Sequence, residues 1–146
     1  MRRVLSLSLL LGLAACANNA QMAPPQDDQQ AKQFEPPASS KGALYIYRHE
    51  WMGFMKPVDV QVAGGASATL PVNTYLRLEG PPGPVEVDCK VGDKQGAAQI
   101  DIADGRTRYV EVSMTSGLWA PGCQVAEVAP EVGRAAVRAS RRVEPQ

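Results

Sequence analysis

From Lys41 onward, apolar and polar residues alternate with a period of two over short runs separated by glycine and proline. Val58, Val60 and Val62 alternate with Asp59 and Gln61, and Leu76 and Leu78 alternate with Arg77 and Glu79. Val85, Val87, Cys89 and Val91 share a side against Glu86, Asp88 and Lys90, while Ile100 and Ile102 flank Asp101. Val110, Val112 and Met114 oppose Glu111 and Ser113. Successive side chains of a strand point to opposite faces, so each run predicts a strand with one buried and one solvated face. Gly64-Gly65, Gly80-Pro81-Pro82-Gly83, Gly92-Asp93, Asp104-Gly105 and Pro121-Gly122 supply the turns. The pattern predicts an all-β fold, a small antiparallel β-sandwich of about seven or eight strands.

Three stretches depart from this pattern. In residues 43–50, Leu44 and Ile46 share one side and Tyr45 and Tyr47 the other, which predicts a strand covered on both faces. After Ala129-Pro130 the spacing turns helical, with Val132, Ala135, Ala136, Ala139 and Val143 set against Arg134, Arg138, Arg141 and Arg142. Pro130 suits the first position of that helix. Gly133 weakens it by about 1 kcal/mol relative to alanine, so residues 131–146 are expected to form a short helix or a frayed basic tail. Residues 17–40 carry Pro24-Pro25, Pro36-Pro37 and several glutamines, with only Met22 and Phe34 as large apolar residues. Such a stretch is expected to be a disordered linker spanning about 25 to 30 Å.

Ahead of it, Met1-Arg2-Arg3, the apolar run of residues 4–13 and the small residues before Cys16 have the three-part form of a secretory signal peptide. A largely apolar run of ten residues is too short for a helix that needs roughly 20 to cross a bilayer core, so residues 1–15 are expected to be removed. Leu13-Ala14-Ala15-Cys16 resembles a bacterial lipobox. The resemblance implies a lipoprotein in which Cys16 becomes the lipidated N-terminus. Ala17, where an aspartate would favour inner-membrane retention, points by the same resemblance to the outer membrane, facing the periplasm.

This start changes two counts. The full chain has 15 basic and 15 acidic residues, and loss of Arg2 and Arg3 leaves the mature chain mildly acidic. A nucleic-acid partner, which needs a broad basic face, is not expected. With Cys16 acylated, Cys89 and Cys123 remain, and an even pair in a small exported domain predicts a disulfide, with two separate buried thiols as the alternative. About 106 residues follow the linker, enough for one core, placed at residues 41–130 with the tail behind it.

Lys41-Gly42-Ala43-Leu44-Tyr45-Ile46-Tyr47-Arg48, the Pro81-Pro82-Gly83 turn, and Asp104-Gly105-Arg106-Thr107-Arg108-Tyr109-Val110 together resemble domain of unknown function 2846. That family is found in small bacterial lipoproteins and is similar in strand-and-turn style to PEGA-type β-sandwich modules. Where an Asp-Gly-Lys hairpin would stand, this chain has Ala63-Gly64-Gly65-Ala66. The resemblance carries no catalytic residues.

Nor do the residues assemble chemistry. His49 is the single histidine, with no Gly-x-Ser-x-Gly elbow to serve it. One histidine and two paired cysteines do not make a zinc site. Asp101 and Asp104 are expected on a solvated strand face and in a turn. No catalytic residue, metal site or cofactor is therefore expected. Two loops stand out, one carrying Trp51 and Phe54 and the other Leu118 and Trp119. In an up-and-down chain of eight strands they would lie at one end, either as an exposed contact patch or as a cap on the sandwich. Arg134, Arg138 and Arg142 share a helical face that either meets anionic lipid or an acidic partner, or is simply solvated.

The function expected from these features is a lipid-anchored, non-enzymatic binding or scaffolding module at the outer membrane. Its partners would be the membrane, through the lipid, and an envelope protein or ligand the sequence does not name. An inhibitor or assembly chaperone for another envelope protein is the alternative within binding functions, and a small cell-envelope hydrolase is the rival from another class.

Overall fold

The computed structural model describes residues 20–49 and 56–146. Among these, nine strands form two stacked sheets: β1 (Gly42–Arg48), β2 (Val58–Val62), β3 (Ser67–Leu70), β4 (Thr74–Gly80), β5 (Gly83–Val91), β6 (Lys94–Ile102), β7 (Thr107–Thr115), β8 (Gly122–Val128) and the two-residue β9 (Arg141–Arg142). One sheet has the order β8-β7-β1-β4-β9 and the other β3-β2-β5-β6. The expected all-β sandwich is the observed fold. Its connectivity is not an up-and-down meander, however, and β1 pairs in parallel with β7, as β4 does with β9. Alternation reports which face of a strand is buried and is silent about its neighbour's direction.

The inner core follows the sequence pattern closely. Leu44 and Ile46 from β1 meet Val58, Val60, Val87, Ile100, Val110 and Val112 from both sheets, all at most 2% exposed. Each such side chain contributes roughly 1.5 to 3 kcal/mol by leaving water. Cys89 on β5 and Cys123 on β8 are joined as a disulfide with Cα atoms 6.1 Å apart, which ties the two sheets together. The diglycine turn closes through Val62 N–H to Ala66 O at 2.8 Å and Gly65 N–H to Val62 O at 3.1 Å, setting Gln61 opposite Ser67.

The outer face of the five-stranded sheet corrects one expectation and resolves another. Residues 20–40 are not a disordered linker: Pro25–Ala31 form helix α1, and Met22 pairs with Val143 in an isolated antiparallel bridge. Pro25 stands at the start of the helix, where its missing N–H costs nothing, and Asp27 and Asp28 lie in the first turn. Of the two forms expected for residues 131–146, the short helix is the one observed. Helix α2 (Pro130–Arg138) lies on β1 and β7, β9 extends the sheet, and Val143 is fully buried.

The phase of α2 also differs from the one its aliphatic residues suggest. Gly133, Ala136, Val137 and Ser140 face inward, whereas Val132 is 55% exposed and Ala135 and Ala139 face out. Gly133 explains the choice. A Cβ there would lie 2.3 Å from the Tyr109 Cβ, so only glycine lets the helix backbone rest on that tyrosine.

Between the helices and the sheet, Tyr45, Tyr75 and Tyr109 stack along neighbouring strands, with ring centroids 5.9 and 5.3 Å from Tyr45. Phe34 closes the layer, tilted against Tyr45 at 5.7 Å. Tyr45 is on the far face of β1, a strand buried along its whole length as the Tyr45/Tyr47 pattern requires.

Candidate interaction site

The loop of residues 116–121 leaves β7 at Thr115 and enters β8 at Gly122, which pair with each other. The loop is tight: a Cβ on Gly117 would lie 2.0 Å from the Ala120 carbonyl oxygen. Its two large side chains point into solvent, Leu118 92% and Trp119 95% exposed, and neither caps the sandwich. Two adjacent apolar side chains of this size gain nothing from water and present a ready contact. Trp51 and Phe54, the other pair expected here, lie outside the described residues, as does Cys16. The parallel pairing of β1 and β7 means that these two strands finish at the same end of the sheet.

Beneath this end, Arg48 is fully buried at the close of β1. Its guanidinium donates to the carbonyl oxygens of Lys56 at 2.6 Å and Leu70 at 3.2 Å, and lies 3.3 Å from the Met114 sulfur. The alternation places residue 48 on the inner face, but the sequence gives no sign that its charge is satisfied by carbonyls at the end of the core. His49 next to it is exposed, on the rim of a cavity of about 270 Å3 with Tyr47, Glu111 and Val132. Burial, with Glu111 nearby, pushes the Tyr47 hydroxyl up to about 12. Asp101 lies exposed on β6 and Asp104 in the turn that follows, as the pattern implies.

The arginines of the C-terminal region prove to be working parts of the tyrosine layer. Arg134 donates from Nε to the Tyr109 hydroxyl at 3.2 Å, and the guanidinium groups of Arg134 and Arg138 lie 5.7 and 5.2 Å from the centre of the Phe34 ring. Arg142 donates to the Asp27 carbonyl oxygen at 3.3 Å.

Asp28 is the hub of the same layer. Its carboxylate accepts from the Tyr75 hydroxyl at 2.8 Å, from Lys32 Nζ at 2.7 Å and from the Arg142 amide at 2.9 Å. Burial works to raise the Asp28 pKa, but these bonds outweigh it and hold the carboxyl below its ordinary value. The Tyr45 hydroxyl donates to the Ala31 carbonyl at 2.6 Å and accepts from Arg77, which is also paired with Glu79. Burial raises the Tyr45 pKa, opposed by Arg77.

Two further surfaces are defined. The outer side of the four-stranded sheet carries a polar concavity of about 470 Å3 lined by Asp59, Gln61, Thr69, Asp88, Lys90 and Gln95. At the end opposite the Trp119 loop, an apolar opening of about 300 Å3 lies between the sheets, bordered by Leu44, Val62, Leu78, Pro81, Val85 and Ile102. Among the described residues no group of three or more His, Cys, Asp or Glu is arranged to hold a metal ion, and no helix is long and apolar enough to cross a membrane. No protein-family model, curated protein or solved structure matches the chain, so the resemblance to domain of unknown function 2846 stands on the residues quoted for it.

Proposed function

We propose that this protein is a lipid-anchored, non-enzymatic lipoprotein of the bacterial outer membrane, whose periplasmic β-sandwich binds or scaffolds another envelope protein through the Leu118-Trp119 loop. The observation that carries the reading is the near-complete exposure of these two side chains on a tight loop. Tryptophan anchors of this kind dominate protein contacts, because a large rigid ring loses its hydration at little entropic cost. The anchor rests on the lipobox resemblance of Leu13-Ala14-Ala15-Cys16.

A photoreactive amino acid placed at Trp119, activated in intact envelopes, tests the contact. We expect one discrete adduct that is absent when the probe stands at Pro82 and is lost from a probe at Trp119 when Leu118→Ser is added. The same adducts from both positions would sink the reading. For the anchor, Cys16→Ala is expected to leave the protein out of the membrane fraction, and unchanged fractionation would refute it.

A further inference from the structure

The position of Ala20 sets how far the domain stands from the proposed anchor. Chain direction at the sheet edge is fixed: β9 runs parallel to β4, with Arg142 opposite Tyr75, and Met22 pairs antiparallel with Val143. Ala23 N–H donates to the Arg142 carbonyl at 3.0 Å, and Glu144 N–H donates to the Gln21 carbonyl at 2.7 Å. Followed backward from Met22, the chain therefore runs toward Gly80, the end of β4. Ala20 packs on the inner core, as Leu78 and Val85 do. Cys16 precedes Ala20 by four residues, which span at most about 14 Å when fully extended. A linker of the length expected from composition would have spanned about twice that.

A headgroup layer is roughly 5 to 7 Å deep on each side of a bilayer, so a tether this short leaves the nearest end of the domain at the lipid surface. That end carries the apolar opening bordered by Leu44, Val62, Leu78 and Pro81, whose aliphatic walls suit lipid better than water. The Leu118-Trp119 loop is at the other end, where β1 and its parallel neighbour β7 both finish. The charges beside the opening are mixed, Lys41 and Arg106 with Glu79 and Asp104, so they favour no particular headgroup charge.

We propose that the end of the sandwich formed by the 63–66 and 80–83 turns is a lipid-contact face, seated on the membrane that holds the anchor, with the Trp119 loop directed away from it. This deepens the proposed function and rests on Cys16 being lipidated. An interaction surface of this kind orients the partner loop toward the periplasm without a second anchor.

The test uses full-length lipidated protein in phosphatidylcholine vesicles whose acyl chains are brominated, with a fluorophore on a single introduced thiol. Ala63→Cys and Pro82→Cys report the proposed face, and Leu118→Cys reports the far end; all three positions are exposed. We expect the bromines to reduce emission about two-fold or more at 63 and 82, and to leave 118 almost unchanged. Adding phosphatidylglycerol is expected to change neither result. Equal, weak quenching at all three positions in protein that floats with the vesicles would overturn the proposal while leaving the anchor intact. Quenching at 118 alone would reverse the orientation. Protein that does not float would remove the anchor, and this face with it.

Discussion

Both faces of β1 are buried, but they are held by different physics. Inward, Leu44 and Ile46 meet other aliphatic side chains across the sandwich, where cohesion is non-directional and asks only for shape. Outward, Tyr45 lies beside Tyr75 and Tyr109 under two short helices, and each of the three hydroxyl groups has a named partner: Ala31 and Arg77, Asp28, and Arg134. The inner face makes a sandwich. The outer face decides what happens to the chain before and after it, because its partners other than Arg77 come from residues 20–34 and 129–146. The N-terminal segment is therefore held in place more by satisfying buried phenols than by burying apolar side chains of its own.

The largest expected effect lies on the inner side. Replacing Cys89 and Cys123 together by alanine should cost about 3 to 4 kcal/mol, the loop entropy of a 34-residue separation. Urea unfolding measures it, and an unchanged midpoint would mean that the link does not constrain the unfolded chain.

On the outer side, Gly133→Ala should cost about 1 to 3 kcal/mol by overpacking against Tyr109, although alanine is the better helix former. A stabilised variant would show that α2 is free to lift, which would erase the contrast between the two faces.

Asp28→Ala comes next, at about 1 to 2 kcal/mol, because it removes the acceptor of the Arg142 amide and leaves the Tyr75 hydroxyl only its longer bond to the residue-28 carbonyl, at 3.3 Å. This loss is expected as a local release of residues 20–34, seen by limited proteolysis at Lys32, while the inner core stays cooperative. The same carboxylate gives the outer layer a pH dependence. Its folded pKa is depressed, so its contribution is present above the ordinary value of 3.8 and is lost as pH falls through the folded value. Release of the segment on acidification should begin below about pH 4 and be absent in Asp28→Asn.

Trp119→Ser belongs to neither face and should change stability by less than about 0.5 kcal/mol. A larger loss would mean that the indole is packed and does not serve as a contact.

The contrast also explains what was legible in the sequence. Val58, Val60 and Val62, or Val85 through Val91, announce the inner face because a half-buried strand needs alternation. The diglycine and Pro-Pro-Gly turns are equally plain, since few other residues bend the chain there. Helix α1 leaves no such mark, with only Ala31 buried and stability drawn from partners more than 40 residues away in sequence. Pro25 at its start and two aspartates in its first turn were the available signals, outweighed by the proline and glutamine content around them. In α2 the most visible apolar residue, Val132, faces out because Gly133 must face in. Parallel pairing of β1 with β7 was unreadable, since it depends on how strands far apart in the chain meet. The aromatic loop was legible as unusual, and its exposure was not, because a tryptophan between two strands serves equally well as a cap.

Backbone amide hydrogen exchange at Ala23, Arg142 and Glu144 tests most directly whether the N-terminal segment is a structural layer. Their amides donate to Arg142, Asp28 and Gln21 respectively. Protection comparable to that of the neighbouring strand β4 is expected, with its selective loss in Asp28→Ala. Exchange at the rate of an unstructured chain in the unaltered protein would contradict it, and would return residues 20–40 to the role of a loose tether.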